Sequence, residues 1–330
     1  MGVSYAYLEF SQMGRVVGRW VVGVVEGDVY YILSRIERLL REAGFRDLRL
    51  ELSTDIKIEA LEDSTEHSIL DCVCTVYECN VDEAGRFKCG KRSMSLWDAL
   101  QRINEEYNSA VRKLLELCST DFLRSACREV FIRVEDKFSK PGPLMQPKHR
   151  NAAIIQLMSY FRMLRAAMYN FIRCMQECGL SITCGSYIPD SNIIRVYTPC
   201  ITMAALLRRS AEVAEPGSEL GVMIGEFLET LAHELIHYAQ FNGVGSLFGV
   251  RIEVDIRKLA SEGCSEGVKW LHKIPYRFRP YEVEAYAKQE KVREAMVETL
   301  PDIGSLAEAF VEELCYVEHP YLCPLILGMV

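Results

Sequence analysis

One stretch constrains this chain more than any other. Thr230 to Gln240 contains His233-Glu234-Leu235-Ile236-His237 inside a helical pattern. Residues four apart on an α-helix sit one above the other on one face. His233 and His237 can therefore aim two imidazole nitrogens at one point, supplying two of the four corners of a zinc site, where nitrogen ligands lie at about 2.0–2.1 Å. Glu234 is rotated off that line, so it suits work on a metal-bound water better than binding of the metal. In such chemistry the metal acidifies the water, the glutamate takes its proton, and the hydroxide attacks a carbonyl that the metal polarises. Leu228, Leu231, Leu235 and Ile236 give the helix the apolar side that a buried active-site helix needs. The bland alternative is a helix with two satisfied histidines.

Two histidines leave a zinc site one protein ligand short, and His₂Glu is one common catalytic set. The chain offers Glu282 and Glu284 in Arg279-Pro280-Tyr281-Glu282-Val283-Glu284-Ala285-Tyr286, where Pro280 can open a helix. Two residues apart, these carboxylates point to nearly opposite sides of a helix, so only one can face the metal.

At this point the chain resembles the gluzincin-type zinc metallopeptidases, including the integral-membrane CAAX-type and the soluble ImmA/IrrE-like peptidases. In that class a helix with His-Glu-x-x-His packs against a later helix that supplies a Glu ligand, often in a Glu-x-x-Ala-Asp or Glu-x-x-Ala-Asn run. The likeness covers roughly residues 182–287. It implies that Glu282 is the metal ligand and Ala285 the small residue that permits close helix packing. Tyr286 stands where the family has Asp or Asn, a side chain that orients a ligand histidine; Tyr286 fills that role through its hydroxyl, or another residue does. The resemblance also implies that Ile193 to Tyr197 is a strand edging the cleft and pairing with extended substrate, though the same residues read equally as an ordinary hairpin strand.

Other residues are weighed beside these. Tyr276, Arg277, Arg279, Tyr281 and His272 precede or flank Glu282, and one of them could donate to the oxyanion formed during attack; Tyr281 ranks first and His272 second. Glu229 reads as a surface residue or a neighbour of the ligands, and Gln240, three after His237, as a polar neighbour of the site or, more plainly, as solvent-facing. His67, His149 and His319 fit no ligand pattern. Cys72, Cys74, Cys79 and Cys89 lack the spacing of paired zinc knuckles, so a buried thiol pair or a disulfide to Cys89 or elsewhere is the plainer reading. Cys174, Cys178 and Cys184 invite similar pairing.

The fold class expected is α+β: a small N-terminal α+β domain with trailing helices over 1–138, a Pro-rich linker over 139–149, and a mainly helical zincin-like metallopeptidase domain with a short β-sheet over 150–330. A net charge of −8 argues against nucleic-acid and anionic-membrane partners. No secretory signal or membrane span is visible, which places the protein in the cytoplasm. Thirteen cysteines leave at least one thiol unpaired, and a thermophilic source is compatible with such usage. The expected function is hydrolysis of peptide or protein substrates with one zinc per chain. Two rivals are hydrolysis of a non-peptide amide and a non-catalytic regulator that keeps the zinc-binding fold.

Overall fold

Val29, Leu33, Ile36 and Leu40 recur at three- and four-residue spacing and are all at most 3% exposed. They draw α1 (Asp28–Glu42) onto the core, and Gly44, at φ +112°, ends it in a conformation that glycine adopts without strain. The structure is a computed structural model that describes residues 5–12, 15–24, 28–53, 57–60, 72–81, 87–99, 101–103, 105, 109, 170–198, 200–201, 218–261, 274 and 276–314.

Before α1, β1 (Tyr5–Gln12) and β2 (Arg15–Val24) form an antiparallel hairpin. After it come β3 (Arg49–Ser53), β4 (Lys57–Ala60), and an antiparallel pair, β5 (Val73–Val81) with β6 (Phe87–Ser95). The later part brings β7 (Leu180–Thr183), β8 (Gly185–Ile188) and β9 (Ile193–Tyr197), then α2 (Ser218–Asn242). A two-residue hairpin of β10 (Ser246–Leu247) and β11 (Val250–Arg251) follows. Next are α3 (Ile256–Ser261), a 3₁₀ turn over Tyr276–Phe278, α4 (Pro280–Thr299) and α5 (Asp302–Glu312). The chain is thus mixed α and β, as its pattern predicts. Among the described residues no helix is long and apolar enough to cross a membrane.

Part of the segment read as an N-terminal domain, namely α1, β3 and β4, joins elements of the second half. β3 runs parallel to β9 in register Arg49↔Ile193 through Ser53↔Tyr197, and β8 pairs antiparallel on the other side of β9. β4 pairs antiparallel with β7. α1 packs against α5, and residues from Val29 to Leu314 join one apolar core. The physical reason is strand pairing: β3 and β4 satisfy their backbone groups on strands from the second half of the chain rather than on each other. The expected linker lies outside the described residues.

Two disulfides fasten β5 to the helical residues 170–177 and the turn that follows. Cys74 bonds Cys174 and Cys72 bonds Cys178. Residues two apart on a strand share a face, as do residues four apart on a helix, so the two bridges match rung to rung. Cys72 and Cys74 therefore pair with this helix and not with Cys89. A third bridge, Cys184–Cys200, sits at the junction of β7 and β8.

The strand expected to edge the cleft is interior instead. β9 is hydrogen-bonded on both sides, in the order β3-β9-β8. β8 is the edge, and with only Cys184 between them β7 and β8 make a nearly continuous rail in front of α2.

Candidate metal centre

α2 is buried on almost every side, from Met223 through Gln240. Its polar residues must then find partners inside the protein. Those partners come from α4, which packs along it. Pro280 sits in the first turn of α4, and Glu282 follows in the same turn, where a carboxylate suits the positive end of the helix dipole.

His233 Nε2 and His237 Nε2 face each other at 3.1 Å, with the rings nearly perpendicular. Glu282, 1% exposed, places Oε2 at 3.4 Å from His233 Nε2 and Oε1 at 3.3 Å from His237 Nε2. The far nitrogen of each ring is held from behind. His237 Nδ1 meets Gln240 Oε1 at 2.9 Å, and His233 Nδ1 meets Gln289 Oε1 at 3.0 Å. The orientation of Gln240 is fixed, because its amide nitrogen donates to Tyr281 O and to Glu284 Oε2. A glutamine oxygen only accepts, so Gln240 holds the proton of His237 on Nδ1 and turns its Nε2 inward, and Gln289 can hold His233 in the same tautomer.

Three acceptors thus converge on one point. Glu282 Oε2 is buried with no hydrogen bond, and the two Nε2 atoms face each other. A cation shared among the three relieves all of this at once. His233, His237 and Glu282 form a group that could hold a metal ion. The electrostatics agree in sign. Burial alone would raise the carboxyl of Glu282, but contacts with His233, His237 and Tyr276 override it and hold it at about 2. Burial would lower His237, but Glu282 and Glu234 outweigh it and push it up. Both shifts say that the site favours positive charge.

Glu234 stands next to this point without joining it. It is 5% exposed. Burial raises its carboxyl well above that of an ordinary glutamate and Glu282 adds to the rise; the two imidazoles and the backbone N–H of Tyr187 on β8 pull the other way without cancelling it. β8 can come this close because residue 185 is glycine. A Cβ there would lie 2.6 Å from Thr230 Cγ2 and 2.9 Å from Glu234 Cγ.

The alternatives left by the two α4 carboxylates resolve here. Glu284 points away from the histidines and is surrounded by donors: Gln240 Nε2, Lys288 Nζ, and the backbone N–H groups of Glu253 and Val254. Gln240, expected to face solvent, is fully buried between α2 and α4. The side chain that meets His233 Nδ1 is Gln289, while Tyr286 lays its ring 4.7 Å from that of His233. Gln289 is seven residues after Glu282, two turns along the same face, which is the sequence signal that marks it. Ala285 is fully buried at the helix contact, as expected of a small residue there.

A cleft of about 180 Å³ opens in front of the site, between the β7–β8 rail and the turn before α4. His233 and Glu234 reach it, as do Glu229 and Tyr276. Glu229 is paired with Arg293 at 2.8 Å. Tyr281 lies beside the site but does not line this cleft: its ring meets His237 edge-on, and its hydroxyl accepts from Arg279 Nη1 at 3.0 Å. Tyr276, which touches Glu282 from the cleft side, is better placed to meet a bound group. His272 lies outside the described residues, as do His67, His149 and His319. No protein-family profile, curated protein or solved structure matches this chain.

Proposed function

We propose that this protein is a zinc-dependent metallopeptidase with a zincin-like arrangement of rail strand, motif helix and ligand helix. The observation that carries the reading is the spacing of the three inward-facing acceptors. Ligands at about 2.0–2.1 Å around a tetrahedral ion stand roughly 3.3 Å apart. The separations here are 3.1, 3.3 and 3.4 Å. Two imidazoles and one carboxylate are also a donor set that zinc takes in catalytic sites.

A zinc ion held by His233, His237 and Glu282 supplies a Lewis acid and an acidified water at the cleft. The rest falls to the chain's own residues. Glu234, adjoining the ligands and open to the cleft, accepts the proton of the attacking water and passes it to the leaving amine. Its raised carboxyl helps it to hold the proton between the two transfers. Tyr276 is the hydroxyl placed to donate to the developing oxyanion. Gln240 and Gln289 hold the ligand tautomers.

The test is a pair of measurements on purified protein. Metal analysis gives about one zinc per chain. Glu234→Gln retains that zinc and loses hydrolysis of a peptide library by about 10²-fold or more. Protein that stays metal-free with zinc present, or a Glu234→Gln variant as active as the parent, overturns the reading.

A further inference from the structure

Arg277 lines the same cleft as His233 and Glu234, on the turn that leads into α4, and it is exposed there. Its guanidinium lies over the ring of Tyr286 at 5.7 Å, and that ring packs against His233. The nearby cations are otherwise engaged. Arg293 holds Glu229, and Arg279 is tied to Ile274 O and the Tyr281 hydroxyl. Among the described residues Arg277 has no carboxylate partner. The side chain is thus steadied by stacking while its fork of N–H donors stays open to the cleft, the arrangement in which arginine recognises planar carboxylates.

We propose that Arg277 forms a carboxylate-binding subsite that selects substrates by an anionic group near the cleaved bond. The inference rests on the metallopeptidase reading. Two ring contacts separate the guanidinium from His233, so the two lie within about 10 Å, or about three residues of extended chain at ~3.3 Å each. The carboxylate is either the C-terminus of a short peptide or an Asp or Glu side chain in a longer one.

The test uses the full-length zinc-loaded protein and three N-acetylated peptide libraries: free C-terminal carboxylates, C-terminal amides, and amides with one Glu at varied positions. Cleavage is mapped by mass spectrometry. Cuts are expected within about three residues of a carboxylate, with Arg277→Gln raising KM for those peptides about tenfold and leaving the plain amides unchanged. Preference for the first library assigns the C-terminus as the anion, and preference for the third assigns a side chain. Equal cleavage of carboxylate and amide peptides, or an unchanged site map in Arg277→Gln, overturns the proposal. If no library is cleaved, the peptidase reading fails. Titration calorimetry of free-carboxylate and amide peptides on the parent and Arg277→Gln then decides the subsite by itself: equal binding of the two probes overturns it, and a carboxylate preference lost in the variant supports it.

Discussion

Gln240 is the residue whose removal best separates a working metal centre from a chance cluster of polar side chains. It makes three hydrogen bonds, two buried ones to His237 Nδ1 and Glu284 Oε2 and a half-buried one to Tyr281 O. Gln240→Ala strips them together. Glu284 keeps its other donors and the Tyr281 carbonyl keeps its place in the first turn of α4, but the N–H of His237, a residue only 5% exposed, loses its partner. Such a group costs about 1–3 kcal/mol when left unsatisfied, an upper range if water enters the space. The part that falls on the metal is smaller, because removing a group that orients a ligand weakens affinity by about 10- to 100-fold, or about 1.4–2.8 kcal/mol.

Glu284→Gln probes the same chain of contacts one link further out. Every neighbour of Glu284 is a donor, so an amide there must turn one N–H toward another. If Glu284 acts on His237 through Gln240, the two substitutions are not additive. Zinc affinities of the parent, both single variants and the double variant, measured by competition with a chelator of known affinity, give the coupling directly. A value of about 0.5–3 kcal/mol is expected for groups in one network. Additive effects would refute the relay. Unchanged zinc affinity in Gln240→Ala would refute the tautomer argument on which the metal centre rests. Melting of the metal-free variants separates loss of fold from loss of metal.

Two further outcomes follow from the same geometry. Gly185→Ala places a methyl group 2.9–3.0 Å from Glu234 atoms and forces the base to shift; kcat falls by about 10²-fold, as expected for a displacement on the order of 1 Å, while zinc content stays at the parent level, and a fully active variant would show that Glu234 is not held against β8. For Glu284, burial raises the carboxyl, but Lys288, Gln240 and the N–H groups of Glu253 and Val254 outweigh it and hold it below its ordinary 4.5. A carboxyl depressed in the folded state contributes stability above its unfolded value and loses it as pH falls through the folded one. The melting temperature of metal-free parent protein therefore drops towards that of Glu284→Gln on acidification below about pH 4.5, and a constant gap from neutral pH to about pH 3 would contradict this.

What was legible in the sequence lies where local pattern and chemistry coincide. The motif helix is marked by its apolar side and two histidines one turn apart, and Gly243 at φ +68° stops it directly after Asn242. The opposite fates of Glu282 and Glu284 follow from their spacing alone, although that spacing cannot say which is which. The illegible features are set by distant neighbours. Gln240 reads as solvent-facing because nothing in its own helix says that α4 will cover it. β8, with the sequence Gly185-Ser186-Tyr187-Ile188, is too short to show alternation, so β9 reads as the edge. The pairing of β3 with β9 joins Arg49 to Ile193, and local periodicity carries no trace of a partner that far along the chain.

That long-range pairing changes what the first part of the chain is for. A detachable N-terminal domain would add a function to a finished site. Here β4 backs β7, and β3 backs β9, which in turn backs β8, so of the first sixty residues β4 stands directly behind the rail and β3 one strand further back. α1 presses on α5, and α5 on α2, closing the core on the side of the motif helix away from the cleft. The disulfides then tie β5 to the residues immediately before β7. The position of Gly185 against Glu234, on which the proposed general-base role depends, is therefore held by segments on both sides of the long intervening stretch. The pairings of β3 with β9 and of β4 with β7 thus make the early strands part of the wall behind the candidate site.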